Sequence, residues 1–156
     1  MTHSPAIRAL TPRLALKDAG TTMDRKACAL DLKAAPAEDG TFEGYASVFG
    51  VVDQGYDVVE RGAFVKSLAR RKPKMLWQHE MDKPIGVWTE MVEDSKGLRI
   101  KGQLALETMR GKEAHALLKM GALNGLSIGF VSKQWAYDRD TDIRTLTEID
   151  LWEVSL

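Results

Sequence analysis

Residues 126–156 read LSIGFVSKQWAYDRDTDIRTLTEIDLWEVSL, and this stretch decides the fold. Apolar and polar residues alternate through LSIGFVSKQWAYD and again through IRTLTEIDLWEVSL, the period of strands with one buried face. The polar DRDTD between them reads as a turn, so the two segments are successive strands. Working outward, turn signals recur about every ten residues. TFEGYASVFG (41–50) is a strand whose glycines suggest a bulge or bend, as in a curled sheet. ACALDLKA (27–34) and KMLWQHE (74–80) also read as strands, the second followed by a turn at MDKPIG. VWTEMVED and GLRIKGQLAL form a hairpin about the polar DSKG. Two helices interrupt the strands. AFVKSLARR presents Phe64, Val65 and Leu68 and is stopped by Pro73. ETMRGKEAHALLKMG presents Ala114, Leu117 and Leu118 and ends at Gly121. The sum is a mainly β, α+β fold: a small closed or half-closed barrel flanked by helices.

Residues 1–24 mix prolines, a glycine and threonines without periodicity and read as a flexible arm, leaving 25–156 as one domain. At 156 residues the chain suits a single core. Twenty-two basic and 22 acidic residues cancel, which gives no global reason to expect nucleic acid as a partner. The local cluster ARRKPK (69–74) suits the negative end of a helix. No apolar run is long enough to span a bilayer, so no membrane partner is expected. The single cysteine, Cys28, rules out an internal disulfide framework and a cysteine-based zinc site. Its flanks KACALDLK resemble an edge strand rather than a nucleophile's setting.

Few residues suit chemistry. Of three histidines, His3 lies in the arm and His115 sits on a helix beside Glu113. His79 closes the strand KMLWQHE, where alternation puts it on a face with Met75 and Trp77. HEMDK lacks the second histidine of a helical zinc motif, since position 83 is Lys83, and no metal or cofactor site is expected. Ser127 faces away from Leu126, Ile128 and Phe130, flanked by Gly125 and Gly129. Those glycines either let a substrate backbone approach or mark a tight bend in the sheet. GLSIG spells a nucleophile elbow, but no helix follows it, and so few helices exclude an α/β-hydrolase. On the last strand, alternation groups Ile149, Leu151 and Glu153 on one face and Glu148, Asp150 and Trp152 on the other, where Glu148 and Asp150 read as ordinary solvent-facing charges. A carboxylate after two apolar residues wants a partner: a rim cation, or an imidazole to orient.

The blocks FEGYASVFG, GYDVVERGAFVKSL, MLWQHEMDKPIGVW, GLRIKGQLAL, GALNGLSIGF and TEIDLWEVSL, in this order, resemble the prohead serine proteases of tailed bacteriophages, distant relatives of the herpesvirus assemblin proteases. The resemblance implies a herpesvirus-protease-like fold with His79 and Ser127 as the catalytic pair. Assemblin relatives use a second histidine after the serine; none follows Ser127 here, so a carboxylate takes that role, Glu153 first and Glu148 in reserve. The implied function is a serine endopeptidase without cofactor. It would cleave capsid and scaffold polypeptides, and itself, inside the assembling prohead in the host cytoplasm. A homodimer follows by analogy with the assemblins. Family members commonly continue past the EVSL strand, so a missing segment that closes the barrel would weaken a chain ending at Leu156. Two non-catalytic alternatives are an inactive protease-fold module of capsid assembly or scaffolding and a small ligand-binding barrel. VVDQGYDVVERG (51–62) reads as a long loop that Tyr56 and Asp57 help to shape, with a substrate role as the alternative.

Overall fold

The computed structural model describes residues 22–29 and 35–156 together with the short strand Ala15–Leu16. The expected arm and the second half of the expected 27–34 strand lie largely outside the described residues. The strands are β1 (Ala15–Leu16), β2 (Asp24–Ala29), β3 (Thr41–Val48) and β4 (Asp57–Val59), followed by helix α1 (Val65–Arg70). Then come β5 (Lys74–Trp77), β6 (Glu80–Glu93), β7 (Gly97–Leu104), helix α2 (Met109–Lys119), β8 (Gly125–Asp138) and β9 (Ile143–Ser155).

The two long strands read from the terminal stretch pair antiparallel as β8 and β9 and form the backbone of one sheet, ordered β1-β8-β9-β5-β6-β7-β3. On its other side β8 also carries β2. Strand β9 takes β4 and then β5 as parallel neighbours. The sheet curls into a half-barrel. Its two ends approach through a side chain: the Cys28 thiol on β2 donates to the Ala46 carbonyl on β3 at 2.9 Å. Inside the curl Phe64, Phe130, Ile85, Ile100, Leu126 and Ile128 are fully buried. Each such side chain contributes about 1.5–3 kcal/mol relative to exposure.

Both helices form where expected. Thr108 caps α2, its hydroxyl accepting from the Gly111 N–H at 3.0 Å, and Gly121 leaves the helix at φ 76°, a conformation glycine adopts without steric penalty. Helix α1 has no side-chain cap of its own. The Glu93 carboxylate supplies the missing acceptors, taking the N–H groups of Gly62 (2.6 Å) and Phe64 (2.9 Å). Of its expected face, Phe64 is buried and Leu68 packs against the core, but Val65 is 57% exposed and Ser67 is buried instead.

Two further expectations are corrected. MDKPIG is not a turn but the start of β6. Pro84 is tolerated because at that point β6 pairs with β5 alone, β7 joining only from Gly86. The turn lies earlier, at Gln78–His79, where Trp77 pairs with Glu80 across a two-residue loop. The segment 51–62, expected to be loop throughout, contains β4.

Candidate active site

Strand β5 stops before His79, so the histidine is not a member of the Met75–Trp77 strand face. Gln78 and His79 have φ of 49° and 61°, the paired left-handed residues of a type I′ hairpin turn. Such turns favour Asn-Gly; two side-chain-bearing residues of other types hold this backbone only when the surroundings impose it. The end of the chain does so. The Gln78 N–H donates to the Leu156 carbonyl at 3.0 Å, and the Leu156 N–H donates to the Leu76 carbonyl at 3.1 Å. The His79 N–H donates to Ser155 Oγ at 3.1 Å.

Glu153 reaches His79 by a route that simple alternation misses. Phe130 pairs with Leu151, but the next residue back, Gly129, pairs with Glu153. Trp152 is therefore the extra residue of a bulge. The bulge reverses the alternation, so Leu151 lies on the face of Phe130 and Glu153 lies opposite Gly129, on the other face of the sheet. The expected grouping of Ile149, Leu151 and Glu153 is thus corrected. The Glu153 carboxylate, 3% exposed, lies directly over Gly129. A Cβ at that glycine would fall 2.1 Å from Glu153 Oε1. Room for this carboxylate is what the glycine provides.

Glu153 Oε1 is hydrogen-bonded to His79 Nδ1, and Glu153 Oε2 accepts the hydroxyl of Ser155. With Nδ1 engaged by the carboxylate, the neutral ring carries its proton there and Nε2 is the basic nitrogen. Ser127 sits on β8 directly opposite Ser155. Directly opposed residues in an antiparallel pair have Cβ atoms about 4.5–5.5 Å apart, which puts Ser127 on the same face as Ser155 and Glu153, next to the His79 turn. Among the described residues, no hydrogen bond joins Ser127 to the imidazole.

Glu148 and Asp150 lie away from His79. Glu148 pairs with Lys66 at 2.7 Å. Asp150 is not a solvent-facing charge: it is 5% exposed and faces Arg70, Arg71 and Ser67 at 3.3–3.4 Å. Burial pushes the Cys28 thiol up to about 11, which keeps it protonated and unreactive at neutral pH. His115 bonds the Ala37 carbonyl at 2.8 Å, and His3 lies outside the described residues. Around the HEMDK segment, the His79 ring is held by Glu153 and Glu80 pairs with Lys83. Tyr56 and Asp57 line a cavity of about 430 Å³ with Trp135, Tyr137 and Arg144. Arg144 grips Asp57 through two hydrogen bonds of 2.6 and 2.7 Å, which hold its guanidinium above the usual arginine range. None of Ser127, His79 or Glu153 lines that cavity. Sequence reasoning did not single out Ser155. The available signal was its place two residues after Glu153, which in a strand gives the same face.

Residues 28–156 match the Caudovirus prohead serine protease family. The chain is 38% identical over 96 residues to the prohead protease of Enterobacteria phage HK97, covering 60% of this chain and 43% of that protein. It is 37% identical over 113 residues to the capsid polyprotein of Pseudomonas phage PAJU2, covering 68% of this chain and 16% of that protein. The prohead protease of Escherichia phage T5 is 29% identical over 108 residues, 67% of this chain and 50% of that protein. The chain thus spans half or less of the length of the curated relatives it matches. Among solved structures, the bacteriophage T4 capsid assembly protease aligns with a TM-score of 0.68 at 10% identity, covering 90% of this chain and 99% of that one. At that identity the likeness concerns the fold.

Proposed function

The chain belongs to the caudovirus prohead serine protease family, and from that premise we propose that it is a serine endopeptidase with Ser127 as nucleophile, His79 as general base and Glu153 as the acid that orients the base. One observation carries the assignment. The buried Glu153 carboxylate holds His79 Nδ1 on the face of the sheet that also carries Ser127.

A serine hydroxyl is a poor nucleophile at neutral pH and needs a base to take its proton. His79 Nε2 removes the proton from Ser127 Oγ as the oxygen attacks the scissile carbonyl carbon. The tetrahedral intermediate collapses, the C–N bond breaks, and the imidazolium passes its proton to the departing amine. Water then attacks the acyl-serine, giving its proton to His79, and the carboxylic product leaves as Ser127 regains its hydrogen. Glu153 keeps the ring in the tautomer that leaves Nε2 basic and stabilises the imidazolium in both halves.

The proposed substrates are capsid and scaffold polypeptides, and segments of the protease itself, cut within the assembling prohead in the host. The relatives' names, prohead protease and capsid assembly protease, support this choice. A homodimer is proposed by analogy with the assemblins alone. Incubating the chain with the cognate capsid and scaffold proteins tests the reading. The wild type is expected to release discrete fragments that Ser127→Ala does not, and equal cleavage by both would remove Ser127 as the nucleophile. A non-catalytic assembly module would cleave nothing yet still bind those proteins.

A further inference from the structure

Ser155 stands one position before the last residue and has no part in the chemistry just described, yet it touches both members of the His79–Glu153 pair. Its hydroxyl donates to Glu153 Oε2 and accepts the backbone N–H of His79 at 3.1 Å. It is 2% exposed, so these partners are not exchanged for water. Its register position faces Ser127 across the β8–β9 ladder.

Each contact answers a physical requirement. A buried carboxylate with one oxygen on an imidazole has a second oxygen that is costly to leave bare; Ser155 fills it, which fixes the rotation of the carboxylate. A turn with both central residues in the left-handed region needs external ties, and the His79 N–H to Ser155 bond is one of them. Since the hydroxyl has one proton and two lone pairs, a single group meets both needs at once. The same geometry argues against Ser155 as a second nucleophile, because its proton is committed to a carboxylate and its oxygen is closed to solvent.

We propose that Ser155 is the positioning residue of this site: through the Glu153 carboxylate and the His79 backbone, it holds the imidazole in the orientation that activates Ser127. The inference rests on the protease reading above, and its test separates the two.

The test compares Ser155→Ala, Ser155→Thr and Ser155→Val in the full chain. Threonine and valine share one shape, so their difference isolates the hydroxyl. Two quantities are read: the rate at which a fluorophosphonate probe labels Ser127, and the low-field proton resonance of His79 Nδ1–H, which requires no activity. Ser155→Ala and Ser155→Val are expected to label about 10- to 100-fold more slowly, the range of a lost hydrogen bond to a charged group, and to lose or broaden the resonance. Ser155→Thr keeps the resonance and stays within about threefold of wild type, the small change expected when the hydrogen bond survives. In a Glu153→Gln background the penalty of Ser155→Ala falls well below its full size, because residues acting as a unit are not additive, and what persists measures the tie to the His79 backbone. Ser155→Ala or Ser155→Val retaining both rate and resonance would overturn the proposal, as would a full penalty persisting beside Glu153→Gln. If the wild type does not label at Ser127, the protease reading fails, and the resonance alone decides the role of Ser155.

Discussion

Glu153 and His79, 74 residues apart in sequence, meet at Nδ1 because the last strand runs parallel to β5 and carries the carboxylate beneath the hairpin turn that begins at Gln78. The contact depends on two local irregularities: the bulge at Trp152 and the left-handed turn. Both can be tested separately from the chemistry.

The glycine under the carboxylate is the first test. In Gly129→Ala the new methyl would fall 2.1 Å from Glu153 Oε1. That oxygen ends a flexible side chain, so the carboxylate moves and the strands stay. Stability should fall by about 1–3 kcal/mol, as for modest overpacking. Activity should fall by about 100-fold, the effect of misplacing a reacting group by about an ångström. Thermal unfolding and probe labelling of the same preparation check both.

The choice between the two glutamates gives the second. Glu153→Gln should lower activity by about 1000-fold or more, as for loss of the acid that sets the imidazole tautomer. Glu148 pairs with a lysine whose side chain is 69% exposed. Glu148→Gln should therefore change stability by less than about 1 kcal/mol and leave the cleavage rate unaltered. Steady-state rates for the two variants decide.

The turn gives the third. Gln78 has φ 49° and donates its N–H to Leu156. Proline fixes φ near −65° and has no N–H. Gln78→Pro should therefore cost more than about 1 kcal/mol, whereas Gln78→Gly, which suits the left-handed turn, should keep the fold. Denaturant midpoints for the pair measure the difference.

How much of this was legible in the sequence follows from which interactions are local. The β8–β9 hairpin, the DSKG turn and the capped helix α2 announce themselves through periodicity and turn residues, and so does the placement of Ser127 on a strand. The bulge at Trp152 does not, because a register shift is set by what lies across the ladder rather than by the strand's own letters. Gln78–His79 carries none of the usual turn residues, so alternation extends the strand three residues too far, to Glu80, and moves the turn to MDKPIG. Asp150 looked like a surface charge because Arg70, Arg71 and Ser67 come to it from a distant helix. Glu153 was singled out on an alternation that the bulge reverses, and from the family resemblance.

Cys28 gives a prediction that depends on pH. Burial raises its folded-state value to about 11, so the folded protein holds this proton more tightly than the unfolded chain does. The stabilisation this represents is complete below the ordinary thiol value of about 9 and is lost as pH rises from there toward 11. At pH 8 the thiolate fraction is roughly 100-fold lower than for a thiol near 9. Alkylation by iodoacetamide should slow by about that factor in the native protein and recover in denaturant.

The proposed mechanism turns on Ser127 as a nucleophile activated by His79. The most direct measurement is to map, by mass spectrometry, the adduct formed with a fluorophosphonate probe. The added mass is expected on the peptide containing Ser127, absent in Ser127→Ala and strongly reduced in His79→Ala. An adduct on another residue, or labelling of Ser127 at the same rate without His79, would contradict it.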